Sequence, residues 1–179
     1  MSAQFRPVDA AIRNADPDHH GAALQALAAL DTPSEPGFDA LAHVAAHACA
    51  ASIAIVSLVN GERVWYRAAH GIDSGTLTAR QSLLCVEASR SRQVIEIADA
   101  QLDPRFADGP LLGSAPRMRY GAGAPIRYQD STIGTICVFD PVPHRGSIPS
   151  LRALEGLATI ATALLRARIE AFLFFSATR

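Results

Sequence analysis

Ile53-Ala54-Ile55-Val56-Ser57-Leu58-Val59-Asn60-Gly61-Glu62-Arg63-Val64-Trp65-Tyr66-Arg67-Ala68-Ala69 is the stretch on which the fold turns. Both halves are rich in the β-branched, aliphatic and aromatic side chains that favour strands. Asn60-Gly61 between them readily adopts the positive φ angles of a tight hairpin turn. The reading is a strand over 53–59, a turn, and a strand over 62–69, so the sheet begins antiparallel. The first half is apolar almost throughout, which places it in the interior. His70-Gly71 closes the hairpin.

Working outward, residues 118–128 and 132–140 read as a second strand pair joined by the turn Gln129-Asp130-Ser131, and 93–97 as a short strand. A helix is expected over 37–50, where Phe38, Leu41, Ala42, Ala45, Ala48 and Cys49 recur at three- and four-residue steps. Another, over 82–92, contains Cys85. The last helix starts at Ser147, a good N-cap, tolerates Pro149 in its first turn, and runs to about residue 172. An Ala- and Leu-rich helix over 18–30 precedes them all and is broken by Asp31-Thr32-Pro33-Ser34-Glu35-Pro36. Between 99 and 116 the chain is rich in Pro, Gly and Asp, the composition of a long surface connection, and such connections inside compact domains are commonly lids or binding loops. The order of elements is that of an α+β domain with one antiparallel sheet covered by helices. The expected organisation is a flexible arm over 1–20, a single domain over 21–172 and a short tail over 173–179.

Composition narrows the function. Of the 179 residues 49% are hydrophobic and 18% charged, which excludes a disordered chain, and a net charge of −1 gives no reason to expect nucleic acid or an anionic membrane as partner. Lys is absent, which removes Schiff-base and Walker-type lysine chemistry. Cys49, Cys85 and Cys137 are too few and too scattered for a disulfide framework, and none forms a C-x-x-C pair. The first ten residues hold no apolar signal-peptide core, and no uninterrupted apolar run reaches the roughly 18–20 residues of a membrane span. The cytoplasm is the expected compartment. No Ser-His-Asp, H-E-x-x-H, G-x-x-x-x-G-K or G-x-G-x-x-G pattern occurs, and the expected function is non-catalytic.

Ordered fragments then carry a resemblance. Leu30-Asp31-Thr32-Pro33 with Phe38-Asp39, Ser57-Leu58-Val59 with Arg63, Trp65, Tyr66 and Gly71-Ile72, Asp99-Ala100, Asp103-Pro104-Arg105-Phe106-Ala107-Asp108 with Pro110-Leu111, Gly123-Ala124-Pro125-Ile126, and Gly134-Thr135-Ile136-Cys137-Val138-Phe139-Asp140 follow one another as in the bacterial GAF domains of sensor kinases and cyclic-dinucleotide enzymes. The chain is similar to that family from residue 30 to about 158. The resemblance implies a GAF-like, profilin-like central antiparallel sheet. Helices from both chain ends lie on one face, and a ligand pocket lies on the other, under the 99–116 loop and the Cys85 helix. Family pockets hold cyclic nucleotides, tetrapyrroles, small metabolites or nothing known, so no cofactor is assigned here. Two departures bear on that pocket. Glu87 in Cys85-Val86-Glu87-Ala88 stands where an imidazole is usual, and Gly121 opens a motif that often begins with Tyr.

The candidate ligand-binding residues are Ser57, Trp65, Cys85, Glu87, Asp99, Phe106, Arg119, Tyr120 and Cys137. Cys85, near a helix start, is either a reactive thiol or a small buried apolar residue. Arg105 and Phe106 either touch ligand or anchor their loop. Arg119 selects an anionic ligand if it points inward, and otherwise closes a strand end. Trp65 and Tyr66 point to opposite faces of their strand, so one lines the pocket and the other joins the core or rim. His43 and His47, four apart on one helix, can bind a metal only with a third ligand, and solvated histidines are the expectation.

Three functions follow. The first is a sensory module binding an unknown small molecule and signalling to a partner in trans. The second is an interaction module that homodimerises through its terminal helices, since Leu151, Leu154, Ala158, Ala161, Leu165, Arg168 and Phe172 lie close to heptad spacing and the apolar cluster at 172–175 extends beyond a small domain. The third is an enzyme similar to the free methionine-R-sulfoxide reductases, compact GAF proteins that use several clustered cysteines, of which only Cys85 is suitably placed here.

Overall fold

The computed structural model describes residues 36–60, 63–72, 82–106 and 117–177. Helix α1 (Pro36–Ala48) leads into β1 (Ile53–Asn60) and β2 (Arg63–His70). Helix α2 (Leu83–Arg90), β3 (Ile95–Ile97), β4 (Tyr120–Tyr128), β5 (Ser131–Asp140) and α3 (Ile148–Ala177) follow. The expected arm and helix over 1–30, residues 73–81 and the loop section 107–116 lie outside the described residues.

The strands form one sheet in the order β2-β1-β5-β4-β3, with every neighbouring pair antiparallel. The chain enters the middle of the sheet, turns out to one edge, crosses over through α2 to the other edge, and returns. This is the expected α+β architecture.

Strand alternation gives the sheet two different faces. Ala54, Val56 and Leu58 of β1, Tyr120, Ala122, Ala124 and Ile126 of β4, and Ile136 and Val138 of β5 share one core with Phe38, Leu41 and Ala45 of α1 and Leu154, Ala158, Ala161 and Leu165 of α3. On the other face Ile53, Ile55 and Val59, with Cys137 and Phe139, meet Leu84, Cys85 and Ala88 of α2. The terminal helices therefore cover one face and α2 the other. A β-bulge in β2 decides which aromatic goes where. Val56 pairs with Ala68 but Ser57 pairs with Tyr66, so Arg67 is the extra residue. Without it Tyr66 would share a face with Ala68. With it, Tyr66 turns to the α2 face and Trp65 packs against the terminal-helix core.

Helix α3 departs from the sequence reading twice. It continues to Ala177, past the expected end near 172. By length and composition its segment Ile148–Ala171 is also apolar enough to cross a bilayer. Its sheet-facing ridge, Leu154, Ala158, Ala161, Leu165 and Ile169, nonetheless lies in the domain core. Of the near-heptad positions read from the sequence, Leu154, Ala158, Ala161 and Leu165 are on the ridge that packs on the sheet. A second apolar ridge, Ala153, Leu157, Ile160, Leu164, Ala167, Ala171 and Phe174, follows alternating steps of four and three residues. On it Ile160, Leu164 and Phe174 are exposed.

Gly123 in β4 is where α2 comes closest to the sheet. A Cβ there would lie 2.7 Å from the Ala88 Cβ and 2.9 Å from the Cys137 Sγ. Gly123→Ala is expected to destabilise the chain by about 1–3 kcal/mol through overpacking. Gly156→Ala, on the exposed side of α3 with nothing within 4 Å of the new Cβ, should instead stabilise by up to about 1 kcal/mol through helix propensity. Urea denaturation of the two variants checks the contrast.

Candidate functional site

Ser82 starts α2. Its backbone is extended and its Oγ accepts a hydrogen bond from the Cys85 amide at 3.2 Å, a standard N-cap. The cap sets the rotation of the helix, so that Leu84, Cys85 and Ala88 face the sheet and are fully buried. Because Gly123 presents no side chain, the helix settles close enough to place Cys85 in one buried cluster with Cys137 on β5. Ser57 on β1 and Thr135 on β5 share a hydrogen bond at 2.9 Å beside them. Ser82, Thr135 and Ser57 also lie within hydrogen-bonding reach of the Cys85 thiol.

The α2 face thus carries a buried polar nucleus of two thiols and three hydroxyls. Its electrostatics allow one thiolate at most. The hydrogen bond from Cys137 favours an ionised Cys85 most, burial opposes it, and Ser82, Thr135 and Ser57 add support, so its pKa falls below the ordinary thiol range. Burial drives Cys137 well above that range. Burial alone does the same to Cys49, pushed up to about 11 in the terminal-helix core, where it is an inert thiol. Tyr66 completes the nucleus. It is nine-tenths buried, and its hydroxyl has no partner among the described residues. Burial raises its pKa strongly, with smaller contributions from Cys85 and Cys137, so the phenol stays protonated and able to donate.

The segment 99–106 runs beside this nucleus and is anchored at both ends. Asp99 accepts from the Arg119 guanidinium through both carboxylate oxygens. The Ala100 amide donates to the Arg119 carbonyl at 2.7 Å. Asp103 accepts from the amide and the guanidinium of Arg105. The Arg105 guanidinium sits 5.1 Å from the centroid of the Phe106 ring, which is buried in the α2-side core. Asp103, Arg105 and Phe106 therefore take the anchoring alternative.

Ser57, Cys85 and Cys137 are brought together as one cluster, with Phe106 in the same core and the Asp99–Arg119 pair at its edge. Three candidates, Trp65, Tyr120 and Glu87, lie away from this cluster. Trp65 is turned to the terminal-helix face by the bulge at Arg67. Tyr120 also lies on that face by strand alternation, stacked on His144 with ring centroids 3.7 Å apart. Glu87 is half-buried at the helix rim and paired with Arg90 at 2.9 Å, not directed into the nucleus. Reading the sequence with the Trp65 and Tyr66 choice left open missed Tyr66 as a site residue, since no local signal marks the bulge. A cavity of about 230 Å³ also opens between α3 and β4, lined by residues that include Arg92, Ala124, Arg127, Glu155 and Thr162. This is the terminal-helix face, opposite the one the family resemblance points to.

The hydrogen bonds from Arg119 hold the Asp99 carboxyl below the usual carboxylate range, against partial desolvation. A depressed carboxyl pKa stabilises the fold above the unfolded-state value of about 3.9 and loses that contribution as pH falls through the folded-state value. Arg119→Gln should therefore be less stable than the parent chain at neutral pH, with the gap closing below about pH 4. Paired urea melts across pH measure it.

The sequence profile of the GAF domain matches residues 33–167. A cyclic di-GMP phosphodiesterase of Pseudomonas aeruginosa is 34% identical over 130 residues, which is 71% of this chain and 22% of that protein. The chain thus spans about a fifth of the curated relative's length. Among solved structures, the GAF domain of an Acinetobacter phosphoenolpyruvate-protein phosphotransferase superposes with a TM-score of 0.62 at 14% identity, covering 86% of this chain and 95% of that one. The free methionine-R-sulfoxide reductase of Neisseria meningitidis superposes at 0.61 and 16% identity over 95% and 98%. Likeness at these identities speaks to the fold.

Proposed function

The chain belongs to the GAF domain family, commonly regulatory or sensory modules, and from that premise we propose that it is a non-catalytic sensor acting in the cytoplasm, binding a small neutral polar molecule on the α2 face and signalling to a partner in trans. The observation that carries this reading is the Tyr66 hydroxyl, buried without a partner among the described residues beside the Ser57, Cys85, Thr135 and Cys137 nucleus. An unsatisfied buried hydroxyl costs about 1–3 kcal/mol, and a bound acceptor relieves that cost. Charge balance supports a neutral ligand over an anionic one. Arg105 and Arg119 are both engaged by carboxylates of their own, and the remaining described cation beside them, Arg117, is exposed just ahead of β4 and not directed into the nucleus. The cyclic dinucleotide turned over by the Pseudomonas relative is a dianion, and it needs cations to spare.

Tyr66→Phe tests the reading. The variant should keep or gain stability when unliganded, because it loses only an unsatisfied group. It should also lose the thermal shift that a neutral metabolite panel produces in the parent chain, since binding to the native state raises apparent stability by mass action. A loss of stability in the unliganded variant, or a panel in which only cyclic nucleotides shift the parent, would count decisively against it.

A second reading is favoured by α3. The ridge bearing Ile160, Leu164 and Phe174 has coiled-coil spacing, and these residues are 53%, 38% and 71% exposed. We propose that it pairs with the same ridge of a second copy, giving a homodimer in which the sensory face stays free. The double variant Ile160→Glu/Leu164→Glu is expected to sediment as a monomer under conditions where the parent is a dimer, with an unchanged unfolding profile per chain. The reductase reading is weaker. Cys85 and Cys137 are fully buried side by side, and turnover of free methionine-R-sulfoxide that disappears in Cys85→Ser would be needed to establish it.

A further inference from the structure

The outer side of α1 carries His43 and His47 one turn apart, both exposed. The sequence shows these two and no third ligand near them. The fold supplies one. β2 runs along α1 and ends at His70, and Gly71, with φ of +77°, turns the chain away immediately afterwards. His70 is thereby held beside the two helical histidines, 27 residues from His43 in the chain.

The three imidazoles form a compact group. Ring centroids lie 4.3 Å apart for His43 and His47, 4.8 Å for His43 and His70, and 5.6 Å for His47 and His70. One ligand nitrogen from each lies within 4.8 Å of the others. Nitrogens bound to one tetrahedral metal at about 2.0–2.1 Å stand about 3.3 Å from one another. The Nδ1 atoms of His43 and His70 are already 3.3 Å apart. The remaining closure falls mainly on His43 and His47, whose side chains are exposed on the helix surface.

Hydrogen bonding also sets one tautomer. His47 Nδ1 lies 2.8 Å from the His43 carbonyl oxygen. A carbonyl only accepts, so Nδ1 carries the proton and Nε2 of the neutral ring carries the lone pair. An Nδ1–H bonded to a backbone carbonyl is the usual way a protein orients a metal-binding histidine. An all-imidazole donor set suits Zn2+, Co2+, Ni2+ and Cu2+, not Mg2+ or Ca2+, which take oxygen.

We propose that His43, His47 and His70 form a Zn2+ site at the seam of α1 and β2, with the fourth position left to water. This site is separate from the α2 face and does not depend on the proposed sensory ligand. Its physical consequence is a clip between the first described helix and the edge strand β2. The metal joins the two elements through side chains and raises the stability of the assembled domain by mass action.

The experiment uses the full chain without an affinity tag. Zn2+ is titrated in competition with a chromogenic chelator, and Co2+ is added in parallel as a spectroscopic probe. The parent chain should bind one Zn2+ per molecule, raise its melting temperature on binding, and give the intense visible absorption of four-coordinate Co2+. His70→Gln and His43→Ala should each weaken Zn2+ by more than about 100-fold, since losing even an outer-shell partner of a metal ligand costs 10–100-fold. Their circular dichroism and metal-free melting temperature should match the parent, which separates lost ligation from lost folding. A double variant His19→Ala/His20→Ala should bind as the parent does. Pale six-coordinate Co2+ in the parent, unchanged Zn2+ affinity in both single variants, or binding that disappears with His19 and His20 would each overturn the site.

Discussion

Close contact between α2 and the sheet at Gly123 is the constraint on which the α2 face depends. Any side chain there would crowd the Ala88 methyl and the Cys137 sulfur to within 3 Å. With hydrogen in its place, the helix lies on β4 and β5 at backbone distance, and Cys85 reaches across to Cys137. Close approach of another element is a recurrent use of glycine inside a strand. It lets a helix of eight residues seal a sheet face and enclose hydroxyls and thiols that would otherwise face water. Buried polar groups are tolerated only when they bond to one another. Ser57 with Thr135 meets that condition, and the Cys85 amide meets it through the Ser82 cap. Tyr66 does not among the described residues, and neither do the Tyr120 hydroxyl and His144 Nε2 on the terminal-helix face; of the three, only Tyr66 adjoins the thiol and hydroxyl nucleus.

The two faces divide the work. The terminal-helix face is almost purely apolar, apart from the buried hydroxyl of Tyr120 and its stacked His144. It supplies most of the burial that holds the domain together. The α2 face is smaller and mixed in polarity, and its flanking segment is tied down by ion pairs and turns: Asp99 to Arg119 and Asp103 to Arg105. Asp140 fastens the end of β5, accepting from the amide and hydroxyl of Ser52 and from the Val142 amide. A sheet with charged, locally closed margins is a suitable frame for a site built of thiols and hydroxyls. Helix α3 extends the same division outward. One ridge belongs to the core, and the other leaves Ile160, Leu164 and Phe174 exposed in the single chain.

Much of the fold was legible along the chain. The β-branched runs of β1 and β2, the alternation in 120–140, the Ser82 and Ser147 caps and the three-and-four periodicity of α1 all act between near neighbours in sequence. Their physical causes are local: preferred φ and ψ, capping of free amides, and one-sided burial. The turn residues 61–62 lie outside the described residues, and Asn60 itself pairs with Arg63 as the last residue of β1. The family pattern added the packing of both terminal helices on one face, which the structure shares. Of the candidate site, the assembly of Ser57, Cys85 and Cys137 on one face was within reach, because strand alternation and a capped helix fix their directions.

The sequence by itself determined the elements, their antiparallel order and the family. Only the tertiary structure decided which side chains share a face and which distant ones meet. One extra residue, Arg67, reverses the facing of Trp65 and Tyr66, and nothing in their neighbours announces a bulge. Helix α3 carries two apolar ridges of similar spacing, and only contact with the sheet shows which is core. His70 joins His43 and His47 because β2 is laid along α1, a placement made by burial of the whole edge of the sheet. Register, bulges and helix docking are settled by the summed burial of many residues far apart in the chain, so no local pattern encodes them.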